Sequence, residues 1–466
     1  MKKLTSVVIC FLLLLAITLS CGCMSFVADK QLIGGEGNQN GGTQSDYSVV
    51  LDSSAEMATS VRIASIEERP TSPLSEQAAR IKVARTSVAI KTSGYGSGVI
   101  INIDDGVDYG DLEDNIFYVV TCHHMISSGG DITVYVPDED YSYDNESYIF
   151  SGTIGGSVAE GQAVSLIGGD IVSDIALLKL FISDDAIART IEKAEIMDTS
   201  RYSVGLYENV FAIGNPTGTL PGSSTSLGVA NPVRENILCE SAGYMTLLQI
   251  AVGTNPGNSG GGLYNLYGEL VGITNAGNTN YESINFAIPL KTTDDPEKED
   301  RGVVNIVGQL LATYRASGGK NYGYVSGRWS LGVRIDVNSS DTMIYFKQVD
   351  EGSMAETAGA ISYSYESGKQ KYQEIVSIAF FNKAENSDEN YQISSLIQSG
   401  FTASSAFSLV MGMMKSTLVA GDSFTITVGE HEGRKITYKE LAFEIDNAFC
   451  IFADTGVYDG IEVEQA

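Results

Sequence analysis

Between Ser75 and Leu290 the chain is written in short β-branched and aromatic runs. They include "GSGVIINI" (96–103), "IFYVVT" (116–121), "ITVYV" (132–136), "IALLKL" (175–180), "NVFAIG" (209–214), "LVGIT" (270–274) and "INFAIP" (284–289), with Gly, Asp and Asn between them. Many short strands at this density build a barrel or a sandwich and leave little chain for a helical layer. A hydrophobic content of 43% with nine prolines supplies real cores, and 466 residues suggest two or three domains. The 29 basic and 58 acidic residues give a net charge of −29. Such a surface repels phosphate backbones and argues against a nucleic-acid partner.

The chain divides by composition. Lys2 and Lys3 precede an apolar run from Val7 to Leu19, the length of a secretory signal and short for a membrane span. The run ends in "ITLSCGC", which resembles a bacterial lipobox with Cys21 as the lipidated residue, although Thr18 stands where Leu is usual. Residues 1–21 are therefore expected to be an export signal, possible cleavage by an ordinary signal peptidase being the alternative to lipidation. Residues 22–74 read as a polar flexible tether, and 75–295 as the first folded domain. The charged break "KTTDDPEKEDRG" (291–302) opens a linker, 296–323, in which Val303, Ile306, Val307, Leu310, Leu311 and Tyr314 fall on one helical stripe. A second domain covers 324–442, and 443–466 is an acidic end. No metal or cofactor is expected. The acidic insertion 104–115 fits no calcium-loop spacing and reads as solvated acid. The scattered Cys122, Cys239 and Cys450 read as small buried hydrophobes, with a Cys122–Cys239 bridge left open.

One stretch asks for chemistry. "TNPGNSGGGLYN" (254–265) sets four glycines and a proline around Ser259. Pro256 fixes one φ, Gly257 can take a left-handed conformation, and amides there can converge on a developing oxyanion. Gly260 and Gly261 would let a substrate backbone approach. Serine needs a base, and the chain has only three histidines, His123, His124 and His431. His431 lies in "GEHEGRK" and reads as solvated surface. The pair in "FYVVTCHHMI" emerges at a strand end, where a side chain can be aimed into a cleft. Asp174, directly before the apolar run "IALLKL", would be partly buried and would need a partner such as an imidazole N–H.

These residues carry a resemblance. "TNPGNSGG" resembles the serine turn of the HtrA/Deg serine proteases, a trypsin-like family. "VVTCHHMI" is similar to that family's strand end before the base, "SDIALLKL" to its acid segment, and "YGSGVII", "FAIGNPTG" and "INFAIP" to further strands. The order and spacing map the base onto His124, the acid onto Asp174 and the nucleophile onto Ser259, with Gly257, Asn258 and Ser259 forming the oxyanion hole. The resemblance implies a mainly β fold, a trypsin-like double six-stranded β-barrel followed by an α+β PDZ domain, with the triad between the barrels. It also implies that the backbone of Tyr281–Ser283 lines the substrate pocket. Gly262 replaces the family's usual Pro, which would loosen the turn. Cys122 and His123 replace the usual small or Asn neighbours of the base.

In the second domain "GRWSLGV" resembles the family's carboxylate-binding loop, so Leu331, Gly332 and Val333 are expected to hold a peptide C-terminus. "SSAFSLVMGMMKSTL" would be the helix beside that groove, and polar insertions enter near 362–374 and 382–393. The resemblance implies an exported, membrane-tethered, homotrimeric endopeptidase acting on unfolded or mislocalised polypeptides, with peptide C-termini read by the PDZ domain. A non-catalytic chaperone or peptide-binding scaffold on a protease fold is the alternative.

Overall fold

A computed structural model describes residues 69–446 with the short pieces 27–28 and 62–63. Excepted are 105–114, 155–161, 240–241, 278–283 and positions 128, 226, 297, 317–318, 320–321 and 367. The export signal with Cys21, most of the tether and of the acidic insertion, Tyr281–Ser283, Cys450 and the acidic end beyond Asp446 lie outside the described residues.

Helix α1 (Glu76–Val83) starts at Ser75, whose Oγ accepts the Ala78 N–H at 3.3 Å. Seven antiparallel strands follow: β1 (Ser87–Lys91), β2 (Tyr95–Ile101), β3 (Ile116–Cys122), β4 (Gly130–Tyr135), β5 (Ile149–Ile154), β6 (Val164–Asp170) and β7 (Ile175–Phe181). Their spatial order is β5-β4-β1-β2-β3-β7-β6. The two ends of that order curl together at Gly152, where a side chain would lie 1.9 Å from the Val164 carbonyl. The path thus counts seven strands where the resemblance implies six.

A second barrel closes fully. Strands β8 (Asn209–Gly214), β9 (Gly228–Cys239), β10 (Gly243–Ile250), β11 (Gly262–Asn265), β12 (Glu269–Gly277) and β13 (Asn285–Pro289) run in the order β9-β10-β13-β12-β11-β8. The β8–β9 pairing at Asn209↔Val229 joins the ends. Closure removes the exposed strand edges that an open sheet would leave. Both barrels and helix α2 (Val303–Ala316) share one apolar core, and the predicted stripe of α2 is buried from Val303 to Tyr314. Beyond α2 the Gly323 N–H donates to the Ile167 carbonyl at 2.7 Å, so the chain leaves along the outer edge of β6.

Residues after this, joined by Tyr244 of β10, form a second core. Its sheet runs β14 (Val333–Val337), β15 (Ile344–Val349), β16 (Lys369–Asn382), β18 (Ser423–Glu432), β19 (Lys435–Glu444), with β17 (Ser387–Gln392) also paired to β16. Helices α3 (Ile393–Gln398) and α4 (Ala403–Thr417) lie between β17 and β18. The polar insertion at 382–393 is the β16–β17 hairpin, which keeps its backbone groups paired in spite of the polar sequence. His431 corrects the sequence reading: it is no solvated turn residue. Its register opposite Tyr372 stacks the two rings at 4.4 Å, and its Nε2 lies 2.9 Å from Glu374. Among the described residues no helix is long and apolar enough to cross a membrane.

Candidate active site

The buried run of β3 ends at Cys122, and a single tight turn, His123–Met125, follows. Cys122 pairs with Ile175, the first residue of β7, so Asp174 arrives beside the histidine pair. Asp174 is 1% exposed and holds a left-handed φ of 52°. Its carbonyl accepts the His123 N–H at 3.0 Å and its Oδ1 accepts the His124 N–H at 2.8 Å. Oδ2 lies 2.7 Å from His124 Nδ1. That bond sets the tautomer, leaving Nε2 free to act as a base. Burial alone would lower the His124 pKa, but the charge of Asp174 and this hydrogen bond outweigh it, and the net shift is upward.

His123 is the other case. Its ring is buried against Gly169, and desolvation lowers its pKa to about 4 in spite of Asp174 and Asp170. It is a neutral core side chain.

The serine turn is held as tightly. Gly257 has φ 98°, and a Cβ there would lie 2.1 Å from the Asn215 carbonyl, so only glycine fits. Among the described residues the amides of Gly257 and Ser259 donate to nothing, whereas the Asn258 amide donates to Asn255 O at 3.0 Å. Asn258 is therefore corrected: its N–H closes the turn and is spent there, and the amides left without an acceptor are those of Gly257 and Ser259. Gly260 and Gly261 are corrected likewise. They yield space to the protein itself, with a Cβ at Gly260 falling 2.1 Å from Ser97 O and one at Gly261 falling 2.4 Å from Ile213 O. Gly262 does not loosen the turn. The Tyr264 ring fills the place of its side chain at 2.5 Å, and Tyr264 Oη is 2.7 Å from Thr86 Oγ1.

Ser259 Oγ donates to the Asn275 carbonyl at 3.0 Å, and among the described residues it makes no bond to His124. The Asp–His pair is assembled, while the serine hydroxyl is turned aside. Catalytic hydrogen bonds are often incomplete without substrate.

Two residues missed in the sequence complete the site. Asn275 Nδ2 donates to Asp174 Oδ2 at 2.6 Å, a second support for the carboxylate. Ser97 Oγ, buried in β2, donates to Gly257 O at 2.7 Å and accepts the Asn215 N–H at 2.7 Å, while its own N–H donates to Ser259 O at 2.9 Å. Ser97 is the one polar side chain within "GSGVII" and could have been noticed there, whereas Asn275 follows Thr274 at the end of its apolar run and carried no such signal. Cys122 and Cys239 are free, buried thiols flanking Asn275 at 3.8 and 3.9 Å. Atoms of Cys122, His124 and Asp174 lie within 4.8 Å of one another, a set that could ligate a metal. Burial drives the Cys122 thiol pKa well up, however, and makes its thiolate costly.

In the second core Leu331 is buried and its carbonyl accepts the Ala355 N–H at 3.0 Å. The Gly332 N–H donates to Ser330 Oγ at 3.1 Å, and Val333 begins β14 opposite Val349. β14 ends the sheet order, with no strand on its outer side among the described residues.

Comparison with known proteins agrees with this geometry. Residues 96–273 match the model of a trypsin-like peptidase domain. The chain is 28% identical over 293 residues to the serine protease Do-like HtrA of Lactococcus lactis, covering 60% of this chain and 57% of that protein. It is 29% identical over 211 residues to the serine endoprotease DegS of Haemophilus influenzae, covering 44% of this chain and 50% of that one. A probable periplasmic serine protease do/HhoA-like of the same organism is 31% identical over 202 residues, covering 42% and 34% of the two chains. The chain thus spans about half the length of the first curated relatives it matches.

Proposed function

We propose that this chain, which matches a trypsin-like peptidase domain over residues 96–273 and is similar to HtrA and DegS serine proteases, is an exported serine endopeptidase of HtrA/Deg type that cleaves unfolded or mislocalised polypeptides. The observation that carries the reading is the 2.7 Å His124–Asp174 pair beside a serine turn with two unpaired amides. Ser259 Oγ leaves the Asn275 carbonyl and turns to His124 Nε2, which takes its proton as Oγ attacks the scissile carbonyl. The Gly257 and Ser259 amides hold the oxyanion. His124 returns the proton to the leaving amine, and water, deprotonated by the same imidazole, then cleaves the acyl-enzyme. Asp174 fixes the imidazole and offsets its charge throughout.

The unpaired outer side of β14 supports a PDZ-like role, in which a peptide adds as a strand and its C-terminal carboxylate meets the Leu331–Val333 loop. A carboxylate there would displace Ser330 Oγ from the Gly332 amide. Export, lipidation at Cys21 and trimer formation belong to the same proposal, by resemblance.

The test is hydrolysis of unfolded casein by the purified protein and by Ser259→Ala, with and without peptides ending in apolar residues. Cleavage by the parent alone supports the protease, and stimulation by peptide supports the PDZ-like role. The bond from Ser259 Oγ to Asn275 O favours one second reading, a scaffold that binds peptide without turnover. Casein kept soluble but never cut would establish that instead.

A further inference from the structure

Arg328 belongs to the segment that enters the second core, three residues before Leu331, yet its guanidinium lies on the first barrel. Nε donates to Asp170 Oδ1 at 2.8 Å and Nη2 to Asp170 Oδ2 at 3.0 Å. Nη2 also meets Glu299 Oε1 at 2.7 Å. Asp170 is 3% exposed. A buried pair of this kind is weak evidence for stability, because desolvation offsets its attraction. What it positions is more telling.

Asp170 is the last residue of β6 and pairs with Ile175, the first of β7. The turn between them ends on Asp174. Asp170 Oδ2 also accepts the Ser173 N–H at 3.0 Å, so one carboxylate caps the turn from within and receives Arg328 from outside. Asp174 stands at φ 52°, a conformation that a non-glycine residue keeps only where its surroundings over-determine it. The pairing of Gly168 with Gly323 brings the linker onto the same strand, and a side chain at Gly168 would lie 2.2 Å from Gly323 O. Glu299 is itself held by Arg301 Nε at 2.8 Å, and Arg301 reaches Ser416 O, at the end of α4, at 3.4 Å. A continuous polar chain therefore runs from α4 to the catalytic dyad. Burial would raise the Asp170 pKa, but the charge of Arg328 and its hydrogen bonds hold it at about 2.

We infer that Arg328 is a positioning residue for the proposed protease: by clamping Asp170 it holds the 170–174 turn and sets Asp174 against His124. This rests on the protease reading above. It makes the second core a part of the active site's support. Arg328 would then be required for full turnover whether or not any peptide is bound.

The test compares full-length parent, Arg328→Gln, Arg328→Lys and Glu299→Gln, each first checked for folding by circular dichroism. Turnover of a fluorogenic peptide is followed from about pH 5 to 9. Arg328→Gln is expected to lower kcat about tenfold with little change in KM. Its acid limb should move to lower pH, because a loosened Asp174 no longer raises the His124 pKa. The other titratable groups around the pair are His123, Asp170, Cys122 and Cys239, with Lys415 acting on His123, and none of them is substituted in these variants. Arg328→Lys should recover part of kcat, and Glu299→Gln should give a smaller loss in the same direction. A fall in melting temperature with kcat and the acid limb unchanged would overturn the inference and leave Arg328 as domain glue.

A second readout needs no activity. In a Ser259→Ala background the low-field proton resonance of His124 Nδ1–H should shift or broaden with Arg328→Gln. An unchanged resonance would sink the proposal. If the parent cuts nothing, the protease reading fails, while this resonance still decides whether Arg328 positions Asp174.

Discussion

Ser97 in β2 donates its hydroxyl to the carbonyl of Gly257 at 2.7 Å, so the first barrel fixes the backbone of the second barrel's serine turn. The same hydroxyl accepts from Asn215, and the Ser97 N–H donates to Ser259 O. The cleft is thus a junction in which each barrel holds the other's working parts.

Ser97→Ala leaves the Asn215 amide and one acceptor unpaired in a dry site. Such a loss costs roughly 1–3 kcal/mol. Activity toward casein should fall about tenfold or more if that cost appears in the transition state. Steady-state kinetics with a melting curve separates this from simple unfolding.

Gly257→Ala should be harsher. The residue needs a positive φ, and a methyl group would meet Asn215 O at 2.1 Å. Relief of that clash would rotate the amide away from the oxyanion. A loss of about 10²-fold or more in kcat is expected, with KM little changed, as for removal of an oxyanion donor elsewhere.

The two adjacent histidines should respond to pH in opposite senses. His124 must be neutral to act as base, and its pKa is raised, so turnover should fall with acidification at a midpoint above 6.5. Its contribution to stability is present below the unfolded pKa and is lost as pH rises through the raised value. His123 is depressed to about 4, so its contribution is present above 6.5 and lost as pH falls from there to about 4. The loss amounts to about 3 kcal/mol. Urea unfolding of Ser259→Ala across that window should show this decline, and His123→Gln should flatten it. Asp170 adds a further loss as pH falls from its unfolded value toward about 2.

Cys122 and Cys239 are fully buried, with thiol pKa values pushed up by burial. Neither should be alkylated by iodoacetamide in the native protein, and both should be after unfolding. Peptide mass mapping distinguishes these two from the remaining cysteines. Native labelling of Cys122 would mean that the floor of the site opens to solvent.

Much of this was legible in the sequence. The apolar runs became strands because period and turn residues agreed, and the α2 stripe was buried as spaced. The strand-end positions brought Asp174 and the histidine pair into view, and the family resemblance, not the pattern, chose His124 over His123. Three kinds of feature stayed hidden. Which glycines serve substrate and which serve packing depends on what crosses them, as Ser97 O crosses Gly260. Asn258 looked like a donor, but its amide is used by a neighbour three residues back. His431 looked polar because its own segment is polar, whereas Tyr372 and Glu374, far away in sequence, decide its surroundings. Long-range partners leave no local mark.

The central claim is that His124 and Asp174 activate Ser259 as a nucleophile. The most direct measurement is labelling with a fluorophosphonate, followed by mass mapping of the adduct in the parent, Ser259→Ala and His124→Ala. The account predicts one adduct, on Ser259, present in the parent and missing from both variants. An unlabelled Ser259 in a folded parent that still binds casein, or equal labelling in His124→Ala, would contradict it.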